Sequence, residues 1–176
     1  WYLDWLGESM TQSFIARTGV PDIVIANAGI SVGTLTEYAE DIDVFQQMMD
    51  INMLGVIKTF QSFVVPMREA GQGLLVGIAS VAGFRGLPGA GAYSASKAAL
   101  ISYMESLRVE LRGSGMRAVT ICPGYIETPM TAVNPYSMPF ILSADEAARR
   151  IARAIASGSS FAVVPWQMGF VGRVLK

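Results

Sequence analysis

Short β-branched runs separated by helix-length segments constrain this chain most, because strands joined by crossovers of that length cannot pair as hairpins and must lie parallel. The runs are residues 22–26, 73–79, 116–122 and 161–164, each rich in Val, Ile, Leu or Ala. Residues 4–18 read as a helix. A long, Met-rich helix is expected over 42–67, where Phe45, Met48, Met49, Asn52 and Val56 recur at three- and four-residue intervals. A further helix runs over 92–112 and is stopped by Gly113 and Gly115. Another opens at Ser143, with Glu146 three residues on in a capping-box pattern. The run 73–79 is continuously apolar, as in a strand covered on both faces. Residues 1–176 are therefore expected to form a single α/β domain, a parallel sheet between two helical layers. The 52% of hydrophobic residues can supply its core.

Composition removes several kinds of chemistry. The chain has no histidine, which takes away the usual base of serine and cysteine hydrolases and the commonest metal ligand. Its one cysteine, Cys122, ends the third run and reads as buried, which excludes disulfides and multi-cysteine metal sites and suits a reducing, cytoplasmic compartment. No metal site is expected. The net charge is -1 and the basic residues (Arg17, Lys58, Arg68, Arg85, Lys97, Arg108, Arg112) are scattered, so a nucleic-acid partner is not expected. The longest apolar stretches are broken by Gly and Ser short of the ~20 residues of a membrane span. The opening residues lack an initiator Met and a basic leader, so the chain is expected to begin within a domain.

Ligands of open parallel sheets bind beyond the carboxyl ends of the strands. Those ends carry Asn27-Ala28-Gly29, Ser80 and Pro123-Gly124. Tyr93 and Lys97 are four apart on the following helix and project from one face. A phenol titrates near ~10, so proton exchange at neutral pH calls for a nearby cation, and Lys97 is spaced to supply it. Ser80 could hold a substrate oxygen while Tyr93 passes its proton.

Ser80 thirteen residues before Tyr93-Ser94-Ala95-Ser96-Lys97, with Asn27-Ala28-Gly29 before it and Pro123-Gly124-Tyr125-Ile126-Glu127-Thr128 after it, resembles the short-chain dehydrogenase/reductase family across nearly the whole chain. The resemblance implies a Rossmann-like doubly wound sheet in three α/β/α layers. It also implies an oxidoreductase that moves a hydride between NAD or NADP and a secondary alcohol or ketone. In that reading Tyr93 is the acid/base, Ser80 orients the substrate oxygen, and Lys97 lowers the tyrosine pKa and bonds the nicotinamide ribose. Asn52 disturbs its helix locally and anchors a relay water. Asn27, Ala28 and Gly29 line the adenosine side, Ile51 approaches the adenine, Pro123 and Gly124 turn beside the nicotinamide, and Ile126 and Thr128 contact its carboxamide. The family's glycine-rich phosphate turn has no counterpart here, so the first strands and helices are expected to be missing. The piece alone is then expected to expose an apolar sheet edge and to bind nicotinamide nucleotides poorly.

Each motif also has a plainer account. A lone Tyr-x-x-x-Lys is more often a surface pair, Asn52 a satisfied helix polar group, and the two Gly turns strand terminators; their combination favours catalysis. Ser94 and Ser96 have no histidine to activate them, and helix packing explains them more simply. The apolar loop 134–140 hints at an apolar substrate, and the helices at 42–67 and 92–112 suit a homodimer or homotetramer. Two alternatives stay open: a non-catalytic dinucleotide- or partner-binding relative, disfavoured by the intact Ser/Tyr/Lys set, and a nucleotide-sugar epimerase or dehydratase, disfavoured by the short Ser-to-Tyr interval.

Overall fold

The computed structural model describes the backbone of residues 2–132, 134 and 136–174, and the side chains of residues 10–170 within that range. Pro135 of the expected loop over 134–140 lies outside the described residues. The elements follow in the order α1 (Tyr2–Thr18), β1 (Ile23–Ala26), α2 (Asp41–Met49), α3 (Gly55–Glu69), β2 (Gly73–Ile78), α4 (Gly91–Glu110), β3 (Met116–Pro123), α5 (Pro129–Ala132), α6 (Ala144–Ala156), β4 (Phe161–Val164) and α7 (Gln167–Val174). A π turn over Asp50–Leu54 joins α2 to α3, and a 3-10 turn over Val81–Phe84 follows β2. The single helix expected over 42–67 is thus two helices with a wider turn between them. The glycine-rich loop after Ser80 holds a helical turn.

The strands form one parallel sheet in the order β1-β2-β3-β4. Its register pairs Ala26 with Gly77, Ile78 with Ile121 and Pro123 with Val164, so the carboxyl ends line up along one rim. Side chains alternate across the sheet. Val24, Ala26, Leu75, Ala118 and Cys122 face Val56, Phe60 and Met67 of α3 and Leu100, Met104 and Leu107 of α4. Leu74, Val76, Val119 and Ile121 face Ile151 and Ile155 of α6. Every crossover steps the same way across the sheet, so the β3–α6–β4 crossover, with its helix on the other face, has the opposite hand to the two before it, an uncommon arrangement.

Helix ends follow local chemistry. Gly113 and Gly115 both adopt φ +77, where a side chain would be strained, and they return the chain from α4 into β3. Ser143 caps α6, its Oγ accepting from the Glu146 amide at 3.3 Å. Only this half of the capping box forms, because the Glu146 carboxylate turns to Arg149 at 3.0 Å and accepts from Arg150. No helix among the described residues is long and apolar enough to cross a membrane.

Candidate active site

The turn after β1 is shaped by what lies behind it. A Cβ on Gly29 would stand 3.2 Å from Asn52 Oδ1 and 3.4 Å from Lys97 Nζ, so this backbone runs close against both side chains. Asn52 sits in the π turn, fully buried. Its Oδ1 accepts from the Ile30 amide at 2.8 Å, and its Nδ2 donates to the Ile30 carbonyl at 2.9 Å and to Ser96 Oγ at 3.0 Å. The side-chain amide therefore acts as a strand-like partner for Ile30 and ties the first turn to α4.

Ser80 leaves β2 in an extended conformation, and its Oγ accepts from the Ala82 amide at 3.1 Å to open the 3-10 turn. That turn places Gly83 against the helix backbone: a Cβ there would lie 2.8 Å from the Lys97 carbonyl carbon. Tyr93 and Lys97 occupy the first turns of α4, the phenol half-buried and the lysine 4% exposed. Lys97 Nζ donates to the Ile78 carbonyl at 2.9 Å and stands 5.8 Å from the centroid of the Tyr93 ring.

Burial dominates the electrostatics. Loss of solvent raises the Tyr93 phenol above its ordinary value, and a hydrogen bond with Ser80 pulls it partway back. The expectation that Lys97 lowers the phenol's pKa is not met in this geometry, where the phenol is raised. The ammonium lies over the ring face and is engaged by Ile78, so desolvation prevails. Desolvation also lowers Lys97 to about 8, opposed weakly by Cys122. The fully buried Cys122 thiol is pushed up to about 12 by its burial, against smaller opposite effects from the Ser80 backbone and Lys97.

The remaining residues divide into two groups. Asn27, Ala28 and Ile51 line a groove of about 690 Å³ together with Ile25, Asp50 and Leu54, next to the buried cluster. Pro123 is buried at the end of β3, and the Gly124 amide donates to Val164 O at 2.8 Å. A Cβ on Gly124 would lie 2.7 Å from Met168 Cγ, so α7 closes over this turn. Ile126 bridges to Leu142, which pinches the loop between them. Thr128 stands apart from the cluster, exposed ahead of α5, its amide donating to Thr131 Oγ1 at 3.0 Å.

Ser96 and Ile30 are the participants that motif reading passed over. Ser96 Oγ donates to the Tyr93 carbonyl at 2.8 Å while accepting from Asn52. In the sequence Ser96 shows only as a helical serine next to Lys97, which helix packing already explains.

A model of the short chain dehydrogenase family matches residues 8–137. The chain belongs to that family. A Myxococcus xanthus protein called an uncharacterized oxidoreductase is 40% identical over 161 residues, which cover 92% of this chain and 63% of that protein. A Sphingomonas 2-dehydro-3-deoxy-L-rhamnonate dehydrogenase (NAD(+)) is 41% identical over 122 residues, covering 69% of this chain and 49% of its own length. The chain thus spans less than two thirds of either relative. Among solved structures, a short-chain dehydrogenase/reductase of Burkholderia phymatum in complex with NAD superposes with TM-score 0.84 at 21% identity, over 97% of this chain and 70% of that one. An alcohol dehydrogenase of Thermococcus sibiricus complexed with 5-hydroxy-NADP gives 0.72 at 27% identity, over 85% and 63%.

Proposed function

We propose that this chain carries the reaction centre of an NAD(P)-dependent oxidoreductase acting on a secondary alcohol or ketone, with Tyr93 as acid/base. The observation that carries the reading is the meeting of Ser80, Tyr93 and Lys97, in which Ser80 lies close enough to the phenol to lower its titration and the buried Lys97 ammonium stands over its ring at 5.8 Å. A nicotinamide, when bound, supplies the hydride exchange at the substrate carbon. The residues present suit such a guest. Gly29 leaves free the space a side chain would fill beside Asn52 and Lys97, and the groove at Asn27, Ala28 and Ile51 continues away from it, as an adenosine would need.

In this reading Ser80 O–H donates to the substrate oxygen and Tyr93 Oη gives its proton to that oxygen during reduction or takes it during oxidation. The raised phenol is protonated at neutral pH, the form that gives a proton to a carbonyl. Lys97 keeps positive charge beneath the ring, and its ammonium donates one hydrogen bond to Ile78 O at 2.9 Å, which leaves N–H groups for a ribose. Asn52 supports a relay through the π turn, and Pro123, Gly124, Ile126 and Thr128 form the carboxamide side. The exposed Met130, Tyr136 and Phe140 around the loop before α6 suit an apolar substrate. Exposed Val65 on α3 and Val109 on α4 suit association into a dimer or tetramer. The single buried Cys122 suits a reducing, cytoplasmic setting.

The test is Tyr93→Phe in the intact protein, assayed with NADH and NADPH against apolar ketones and with the oxidised nucleotides against the matching alcohols. Turnover is expected to fall at least about a hundredfold with circular dichroism unchanged; undiminished turnover would refute the reading.

A further inference from the structure

We infer that Ser96 is a positioning residue of this centre, the joint that fixes the turn after β1 and the π turn against the first turn of α4. The inference rests on the reaction proposed above and adds to it a residue outside the Ser80, Tyr93 and Lys97 set.

Ser96 is fully buried, and its hydroxyl is used in both directions. Oγ–H donates to the Tyr93 carbonyl at 2.8 Å, and Oγ accepts from Asn52 Nδ2 at 3.0 Å. A helical serine that merely satisfies itself needs only the first of these bonds. The second reaches a residue 44 positions away, whose remaining amide groups are held by both backbone atoms of Ile30. One continuous path therefore runs from Ile30 through Asn52 and Ser96 to the backbone of Tyr93. Lys97 is the next residue along, and Gly29, the neighbour of Ile30, packs against both Asn52 and the Lys97 ammonium. The spacing between the glycine turn and the Tyr93–Lys97 pair is therefore held by side-chain bonds at one hydroxyl.

Asn52 and Ser96 are both fully buried, and a polar link shielded in this way keeps its geometry only while each member is satisfied. Removing the Ser96 hydroxyl leaves one Asn52 N–H without an acceptor and releases Asn52 from α4. The Asn52–Ile30 pair then becomes free to shift relative to Tyr93 and Lys97. Displacements of this kind act on turnover more than on binding, because the reacting groups must meet in narrow geometry.

Ser96→Ala keeps the volume and helix propensity and removes only the hydroxyl. It is expected to lower kcat about tenfold while leaving KM for nucleotide and substrate within about twofold. Ser96→Thr, which retains a hydroxyl, is expected to recover most of the loss. A second readout does not need turnover. The Ile30 amide, which donates to Asn52 Oδ1, should exchange its hydrogen about tenfold faster in Ser96→Ala than in the parent protein. Unchanged kcat, unchanged Ile30 exchange, or a Ser96→Thr variant as impaired as Ser96→Ala would each overturn the inference. If instead Tyr93→Phe proves fully active while Ile30 exchange still responds to Ser96→Ala, the joint stands and the reaction assigned to the site does not.

Discussion

Lys97 and Cys122 interact electrostatically in the interior, and burial moves their titrations so that each resists its charged form. The lysine falls from 10.5 to about 8 and the thiol rises from 9.0 to about 12. Between about 8 and 10.5 the unfolded chain holds its lysine proton while the folded chain has released it, so stability contributed by Lys97 rises with pH across that window. Between 9 and about 12 the unfolded chain loses its thiol proton first, so the Cys122 contribution falls as pH rises. The folded protein carries an energetic cost at neutral pH for keeping an ammonium under the phenol. Lys97→Met is therefore expected to abolish turnover while raising stability at pH 7 by on the order of 2 kcal/mol, reduced by loss of the bond to Ile78 O. Urea unfolding at pH 7 and pH 10 checks this: the gain should shrink at the higher pH, and a variant less stable than its parent at pH 7 would contradict it. For the proposed reaction, ketone reduction should decline as pH rises through about 8, where Lys97 loses its charge. Asn52 bears the opposite sign. Asn52→Ala orphans the Ile30 amide and carbonyl, removes the donor to Ser96 Oγ, and should cost about 2–4 kcal/mol in the same measurement.

At the scale of elements, the strands were legible because β-branched runs of four to eight residues bounded by turns have few other readings, and β4 falls on residues 161–164 as expected. The break between α2 and α3 was encoded less openly. Met48, Asn52, Val56 and Phe60 are all buried, at a constant spacing of four. In a 3.6-residue helix each such step drifts about 40°, roughly 120° over three steps, so one face cannot stay inward without a wider turn. The π turn over Asp50–Leu54 supplies it and directs Asn52 at Ile30. Helix α7 was not legible. Its segment carries two glycines, and it is positioned by Met168 packing on Gly124. The Ser80, Tyr93 and Lys97 set could be read because its spacing is distinctive, whereas Ser96 was hidden by a local explanation that is true of only one of its two bonds. Close packing between elements can be tested with methyl groups. A Cβ at Gly77 would meet Met104 Sδ at 2.8 Å, a flexible end that can swing aside, so Gly77→Ala should cost about 1–2 kcal/mol. A Cβ at Gly83 would meet the backbone of Lys97 and Ala98 at 2.8 and 2.9 Å, which cannot yield without moving α4. Gly83→Ala should then cost about 3 kcal/mol or more and lower turnover as well. Equal costs at the two sites would show that the helix moves as easily as the methionine.

For the whole molecule, the sheet is covered unevenly. Helices α3 and α4 lie over β1, β2 and β3 on one face, while α6 on the other face packs on β2, β3 and β4. Strand β1 ends the sheet, and its side chains on the α6 face, Ile23 and Ile25, are 48% and 51% exposed. Apolar surface is therefore open at this outer strand. An outer strand with free backbone groups and exposed isoleucines is a template for pairing with another strand, from this chain or a second copy. The 176-residue chain is accordingly expected to self-associate in a concentration-dependent way. Ile23→Thr with Ile25→Thr keeps the β-branched shape that suits a strand and removes apolar surface only where it is exposed. The double variant should shift sedimentation profiles toward the monomer while changing the unfolding free energy by less than about 0.5 kcal/mol per site. Persistence of the same oligomers would move the association to the outer faces of α3 and α4, where Val65 and Val109 are exposed. A large loss of stability would mean that these isoleucines are buried in the associated form and hold the sheet edge in place.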